Sequence, residues 1–208
     1  MTTPWTFEMD LLKELFNIGI GRSADTLSRL VDDEVVIHLH DACLMDNAQS
    51  VTSLKRAAFT NDTQQLTFHY TLDFDGHKIP SIVVLLASTE QINRLIGRLY
   101  QEEPPPAEPD GPSRDVYQTV MDLFVSTCMG SVADLLAVTM QQQRVLFTNH
   151  DLSQSGLPCP SNKPCLCLEI HFSMPSAALE GHLHLLFDAA ILPDLTQRYQ
   201  TILNRAEG

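Results

Sequence analysis

Three polar residues near the start of the chain, Asp10, Glu14 and Asn17, have the spacing that places side chains on one face of a helix. At 100° per residue, Glu14 and Asn17 lie at about 40° and about 340° from Asp10. This polar triplet spreads two carboxylates and one carboxamide over roughly 10 Å of helix, at 1.5 Å per residue. Ligands of one Mg²⁺ ion must converge to about 2.0–2.1 Å from it. The spacing therefore argues against one metal ion bound by all three side chains.

The residues around the polar triplet complete an amphipathic helix. Gly21, Ala24 and Ser28 continue the polar stripe with small side chains, which allow a partner to approach closely. The opposite arc is apolar and consists of Leu11, Leu12, Leu15, Phe16, Ile18, Ile20 and Leu27. Gly19 and Gly21 in mid-helix cost about 1 kcal/mol each relative to Ala, and a tight backbone contact is the usual reason to retain them. The simpler interpretation of the stripe is a solvated helix face.

Composition limits the class of protein. The 208 residues are 44% hydrophobic, which fits one globular domain or two small halves. A net charge of −13 and a pI near 4.8 argue against binding to nucleic acid or to an anionic membrane. The chain shows no signal pattern at its start and no apolar run near the roughly 20 residues that span a bilayer. Because the five cysteines are odd in number and sparse, we expect a cytoplasmic, reduced protein without a disulfide framework.

The predicted elements occur in the same order twice. The first set is a helix from Thr6 to about Leu30, a strand over 35–40, a hairpin of strands 66–74 and 78–87, and a helix over 88–100. The second set is a helix over 114–140, a strand over 144–148, a hairpin of strands 165–174 and 181–187, and a helix over 189–204. Asp75-Gly76 predicts the first hairpin turn, and Ser88 with Gln91 predicts a capping box. Segments 41–54 and 149–164 are expected to be irregular, and 57–60 is a short strand or a loop.

Sequence identity between the two sets supports an internal repeat. Gly21–Leu27 resembles Gly130–Leu136 at an offset of 109, and Val84–Leu86 resembles His184–Leu186 at an offset of 100. We therefore predict one domain of two repeats, about 5–100 and 112–206, joined by an acidic, proline-rich linker over 102–113. The expected fold is α/β (α+β) with a pseudo-twofold axis, the two long helices packing on one face of a mostly antiparallel sheet.

The repeat also serves as an internal control for the polar triplet. At the offset of 109, its three positions are occupied in the second repeat by Thr119, Leu123 and Ser126. The apolar packing positions of the helix are kept in both repeats, whereas the triplet is present only in the first. If the stripe served only solubility, we would expect other charged residues at the equivalent positions of the second long helix. Leu123 stands there instead, which indicates that this face of the second helix is covered or has no function.

The pattern Asp10-x3-Glu14-x2-Asn17, followed by Gly19-x-Gly21 and placed in a duplicated chain of this length, resembles the CheC/CheX/FliY family of chemotaxis phosphatases. The resemblance covers essentially the whole chain. It departs in two places, since Leu39-His40 stands where the family usually has a proline and the second repeat lacks the Glu and the Asn. The resemblance therefore implies a CheC-like member with a single active site.

The resemblance further implies the activity and the role of each residue. Members hydrolyse the aspartyl phosphate of a CheY-like response regulator. Asn17 would position the attacking water and Glu14 would engage a lysine of the regulator, while Asp10 and Gly21 would serve in docking. A carboxamide suits this task because it donates and accepts hydrogen bonds without ionising. No cofactor or metal of the chain's own is expected, since Mg²⁺ would be carried by the regulator. CheD is a further possible partner.

Alternatives to this interpretation remain. The same face could serve a non-catalytic adaptor that binds a receiver domain or CheD, and a structural role in the flagellar switch, as in FliM-type relatives, ranks third. His38/His40 and His182/His184 share strand faces and could ligate a metal with Cys165 and Cys167, although ordinary histidines are the expectation. The chain contains no Walker loop, nucleophile elbow or dinucleotide fingerprint.

Overall fold

The described part of the chain forms four helices on a six-stranded sheet. The computed structural model describes residues 6–45, 63–100, 113–151 and 164–206. Its elements are α1 Thr6–Val31, β1 Val36–Met45, β2 Thr63–Phe74, β3 His77–Ser88, α2 Thr89–Tyr100, α3 Ser113–Leu135, β4 Met140–Asp151, β5 Cys165–Met174, β6 Leu179–Asp188 and α4 Leu192–Ala206. The predicted α+β fold class is therefore confirmed. Within the described ranges, no helix is both long enough and apolar enough to span a membrane.

The sheet has the strand order β1-β5-β6-β3-β2-β4, and every neighbouring pair is antiparallel. Each repeat contributes its first strand to the hairpin of the other, since β1 pairs with β5 and β4 pairs with β2. If each strand is replaced by its equivalent in the other repeat, the same order is obtained, counted from the opposite edge of the sheet. At the centre, Val84 lies opposite His184, and these are the residues that the offset of 100 makes equivalent. The predicted pseudo-twofold axis therefore passes between β3 and β6.

The alternation of side chains along the strands divides the apolar residues between two faces of the sheet. One face carries the main core, to which all four helices contribute. In β5, for example, Leu166, Leu168, Ile170 and Phe172 point to this core. The opposite face carries a smaller cluster made of Met45, Ile82, Val84, Leu86, Cys165, Cys167 and Leu186, with Cys43 packed against it. The long helices α1 and α3 thus lie together on one side, as predicted.

The contact between α1 and α3 depends on small side chains. A Cβ atom at Gly19 would lie 2.5 Å from Val132 Cγ2 and 3.2 Å from Val132 Cα. One turn further along α1, the buried Ser23 Oγ donates to the carbonyl of Ile20 and lies 3.3 Å from Cys128 Sγ. The expected tight backbone contact is therefore present at Gly19. At Gly21, by contrast, a Cβ would have no described residue within 4 Å.

Local turn chemistry follows the sequence closely. Asp75 and Gly76 both have positive φ, at 52° and 88°, as a type I′ hairpin requires. The Ser88 N–H donates to Gln91 Oε1 at 2.9 Å and the Gln91 N–H donates to Ser88 Oγ at 3.2 Å, which is the predicted capping box. In the second hairpin, β6 begins two residues earlier than predicted, at Leu179, after a short 3-10 turn.

Two strands are longer than predicted. β1 continues to Met45, although the segment from residue 41 was expected to be irregular. A register shift between Leu39 and Asp41 absorbs one residue, and pairing with β5 then resumes. β4 covers Met140–Asp151, which includes the predicted strand 144–148 and the first three residues of the predicted loop 149–164. The predictions for 57–60 and for the linker up to residue 112 lie outside the described residues.

Helix α3 is shorter than predicted and ends at Leu135 instead of about residue 140. Ala137 adopts a left-handed conformation with φ 52°, and the Val138 N–H donates to the carbonyl of Ala133. α1 ends in the same way at Asp32, with φ 51°, and the Asp33 N–H donates to a carbonyl one turn back. These two helix ends correspond at an offset of 105 and not 109, so α3 stops one turn earlier than the sequence match suggests.

Candidate functional site

The polar triplet lies on the outer face of α1. Asp10, Glu14 and Asn17 are all exposed, whereas the intervening Leu15 and Phe16 are buried in the main core. The apolar arc fixes the helix against the sheet and against α3, and the polar face is thereby turned outward. Glu14 and Asn17 are three residues apart, a spacing at which helical side chains are neighbours with Cβ atoms about 5–6 Å apart.

The three side chains are available for contacts. Among the described residues, none of them makes a hydrogen bond or an ion pair. The adjacent Lys13, by contrast, is held by Asp41 of β1 at 2.8 Å. A free carboxylate and a free carboxamide, displayed side by side on an anchored helix, can accept from a cationic group and orient a water molecule at the same time.

A residue of the last helix lies near Glu14. Tyr199 of α4 is buried in the main core, and burial together with the negative charge of Glu14 raises the pKa of its hydroxyl. Arg198, the preceding residue, donates to Asp75 at 3.0 Å and to Asp194 at 3.1 Å, which anchors α4 to the first hairpin turn. Sequence reasoning did not identify Tyr199 because no local pattern links α4 to the N-terminal helix.

The surface beside Asn17 is partly apolar. Ile18 was predicted on the buried arc, but the residue is 37% exposed. It lies at about 80° from Asp10 on the helical projection, at the border between the two arcs. One turn beyond Asn17, Gly21 is exposed and has open space above it. The carboxamide is therefore flanked by an apolar side chain and by a bare stretch of helix, so a partner can reach it without steric obstruction.

The corresponding positions of the second repeat have a different character. Thr119 is exposed, but Leu123 and Ser126 are half-buried, and Leu123 packs against the main core. If the helices are instead matched by their C-terminal ends, Asn17 corresponds to Asp122. That carboxylate is half-buried and accepts a hydrogen bond from Tyr70 Oη at 2.8 Å. Neither alignment gives an exposed Glu–Asn pair, so the arrangement on α1 occurs once among the described residues.

Apart from His40, which is the extra residue at the register shift of β1, the histidines and cysteines singled out by the sequence lie on the other face of the sheet. His38, His171 and His182 form a row across β1, β5 and β6, and the ring centroids of neighbours are 5.0 Å apart. The two outer rings are separated by the middle one and do not converge. Across 6–45, 63–100, 113–151 and 164–206, there is no group of three or more His, Cys, Asp or Glu side chains that could hold a metal ion.

His184, at the pseudo-twofold axis, makes the stability of the fold sensitive to acid. It is buried, its Nε2 has no hydrogen-bond partner among the described residues, and burial together with His182 lowers its pKa to about 4. In the unfolded chain its pKa is about 6.5. Between pH 6.5 and pH 4, His184 is therefore mostly protonated in the unfolded chain and mostly neutral in the folded protein. Stability is lost as the pH falls from 6.5 towards 4.

We expect this loss to reach about 2 kcal/mol between pH 7.5 and pH 5, from 1.36 kcal/mol for each unit of pKa difference. Urea unfolding of wild type and of His184→Val at both pH values measures it, and valine is chosen because Val84 occupies the equivalent position. Between pH 7.5 and pH 5, the free energy of unfolding should fall by about 2 kcal/mol less in the variant than in wild type. Equal losses in the two proteins would contradict the assignment.

Comparison with known proteins gives the fold. No family model and no curated protein matches the chain. Among solved structures, Thermotoga maritima FliY has a TM-score of 0.67 at 14% identity, covering 97% of this chain and 100% of its own. FliM in the FliG–FliM complex from H. pylori has a TM-score of 0.60 at 11% identity, covering 88% and 94%. The CheX–CheY–BeF3–Mg²⁺ complex from Borrelia burgdorferi gives 0.51 at 13%, covering 86% and 99%. The chain therefore shares the fold of FliY, FliM and CheX, as the resemblance to the CheC/CheX/FliY family implied.

Proposed function

We propose that this protein hydrolyses the aspartyl phosphate of a response-regulator receiver domain, with Glu14 and Asn17 as the groups that contact the reacting centre. The observation that carries the proposal is the exposed Glu–Asn pair on an anchored helix, whose side chains have no partner within the described part of the chain. Asp10, one turn before Glu14, and the open surface at Gly21, one turn after Asn17, extend the same face in both directions. They are proposed as docking positions.

The chemistry requires little more than this pair. A phosphorylated receiver already carries the acyl phosphate, a divalent cation and a lysine, so the missing component is a water molecule in line with the scissile bond. Phosphoryl transfer is accelerated mainly by positioning and by charge stabilisation. The Asn17 carboxamide accepts one hydrogen bond from the water through its oxygen and donates another through its nitrogen. The Glu14 carboxylate forms an ion pair with the receiver lysine and thereby positions α1 next to the phosphorylated aspartate.

The comparisons support this proposal at the level of the fold. A CheX of the same fold was solved in complex with CheY, so a protein built in this way can bind a receiver domain. The acidic character of this chain is compatible with a contact through a lysine of the partner, since its net charge is −13.

The second candidate function is binding of a receiver, or of another partner, without turnover. It is favoured by the FliM structure, which has the same fold and was solved in complex with FliG. The second repeat of the present chain also offers no Glu–Asn pair among its described residues. Under this alternative the triplet face still binds, but the lifetime of the phosphorylated partner does not shorten.

A panel of purified receiver domains, phosphorylated with a small-molecule phosphodonor, tests the proposal. Inorganic phosphate release is followed with and without the protein, and with Glu14→Gln. We expect faster release for at least one receiver and a loss of at least about tenfold in the variant, by analogy with other charged hydrogen bonds that act at the reacting centre. Asp134→Asn on α3, an exposed carboxylate away from the triplet face, is the matched control and should behave as wild type.

A further inference from the structure

Two cysteines on the face of the sheet opposite the helices are placed so that a disulfide could form between them. Cys43 of β1 and Cys167 of β5 are directly opposite each other in the antiparallel ladder, and both thiols are free. Their side chains meet on the same face, because both belong to the smaller apolar cluster. Directly opposed residues of antiparallel strands have Cα atoms about 4.5–5.5 Å apart, within the roughly 4.4–6.8 Å that a disulfide spans.

We propose that Cys43 and Cys167 are a thiol modification site, which a peroxide or a low-molecular-weight disulfide converts reversibly into a cross-strand disulfide. Cys43 is half-buried, whereas Cys165, Cys167 and Cys128 are buried. Of these four described thiols, Cys43 is therefore the one that an oxidant reaches first, and Cys167 is the sulfur that lies directly across from it.

The interaction between the two sulfurs gives each a distinct role. A hydrogen bond from Cys167 lowers the pKa of the Cys43 thiol, and the same bond, together with burial, raises the pKa of Cys167. Lys13 also lowers the pKa of Cys43, while Asp41 and Glu169 oppose this with their negative charges. Since the thiolate is the nucleophile in such chemistry, Cys43 is the attacking sulfur and Cys167 the resolving one.

The reaction balances with hydrogen peroxide as the oxidant. The Cys43 thiolate attacks one peroxide oxygen, the O–O bond breaks, and Cys43 sulfenic acid and hydroxide form. The Cys167 thiol then displaces hydroxide from the Cys43 sulfur, which gives the disulfide and, with its proton, water. With an oxidised low-molecular-weight thiol, two successive exchanges give the same disulfide and two reduced thiols.

The cross-link would have a structural consequence, because β1 lies at the edge of the described sheet and, among the described strands, pairs only with β5. A disulfide there links the first strand of the first repeat to the hairpin of the second repeat. The loop that it closes, between Cys43 and Cys167, contains more than half of the residues of the chain. Closing so long a loop restricts the unfolded state most, and the midpoint of thermal unfolding should rise by on the order of 10 °C. Such reversible disulfides are the type found in cytosolic proteins that respond to redox conditions.

Peptide mapping of the full-length protein after treatment with hydrogen peroxide tests the proposal. Remaining thiols are alkylated before digestion, and the peptides are analysed without and with dithiothreitol. We expect one linked pair that contains Cys43 and Cys167, removed by the reductant, together with the rise in melting temperature. Cys43→Ser should abolish both effects. Cys128→Ser is the matched control and should retain the linked pair, because the Cys128 thiol is buried on the other side of the sheet, where it forms a hydrogen bond with Ser23.

Several results would overturn the proposal. Linkage of Cys43 to Cys159 or Cys165, linkage that survives in Cys43→Ser, or oxidation of Cys43 to sulfinic acid without a cross-link would each exclude the assigned pair. Cys167→Ala is a second test that does not depend on the folding of the first variant. In that protein Cys43 should remain alkylatable or stop at sulfenic acid, and no increase in melting temperature should follow oxidation.

Discussion

Asn17→Ala is expected to slow the receiver dephosphorylation that this protein stimulates by on the order of 10²-fold, as measured for single preorganised hydrogen-bonding groups elsewhere. The side chain is exposed and has no partner among the described residues, so its removal leaves no buried group unsatisfied. Alanine is also the best helix former. The fold should therefore be retained, with a free energy of unfolding equal to that of wild type or slightly higher.

Phosphate release under single-turnover conditions measures this effect, and urea unfolding of the same samples checks the fold. Thr26→Ala is the control, because Thr26 is an exposed polar residue of α1 that projects to a different side of the helix from Asn17. It should release phosphate at the wild-type rate. Near-wild-type turnover in Asn17→Ala would show that the carboxamide does not position the water.

Gly19→Ala and Gly21→Ala are expected to change stability in opposite directions. The added methyl at Gly19 would meet Val132 Cγ2 at 2.5 Å and two backbone atoms of Val132 at 3.2 Å, so α1 and α3 must separate. Overpacking of this kind costs about 1–3 kcal/mol, and the better helix propensity of alanine returns only about 1 kcal/mol. The free energy of unfolding should therefore fall, by up to about 2 kcal/mol. At Gly21 no described residue lies within 4 Å of the added methyl, and stability should rise by up to about 1 kcal/mol.

Denaturant unfolding of the two variants beside wild type gives the comparison directly, because the substitutions are chemically identical and lie two residues apart. Gly21→Ala also has a functional readout. If Gly21 is part of the docking surface, the added methyl should weaken receiver binding while the protein becomes more stable. A destabilised Gly21→Ala, or a Gly19→Ala as stable as wild type, would contradict the described packing of α1 on α3.

The elements that could be predicted are those specified by local chemistry. The capping box at Ser88 and Gln91 and the I′ turn at Asp75-Gly76 depend only on residues close in sequence. The exposed polar face of α1 followed from helical periodicity alone. The pseudo-twofold arrangement followed from the repeat, because both units have the same order of helices and strands, and the apolar faces of these elements must be buried against one another.

The features that were missed depend on distant parts of the chain. The full length of β1 results from pairing with β5 of the other repeat, after the shift at Leu39 and Asp41. The end of α3 lies at Ala137, a left-handed residue without the glycine that usually marks such a position. At the candidate site, the proximity of Tyr199 to Glu14 arises only when α4 packs beside α1. None of these has a signal in the neighbouring sequence.

The most direct test of the central claim is whether this protein, at a concentration far below that of a phosphorylated receiver, shortens the lifetime of the aspartyl phosphate. A phosphatase that acts through Glu14 and Asn17 releases many phosphates for each of its own molecules, and the initial rate is proportional to its concentration. We expect such multiple turnover for wild type and its loss in Asn17→Ala. A receiver that binds the protein yet keeps an unchanged or longer phosphate lifetime would contradict the claim and identify the protein as an adaptor.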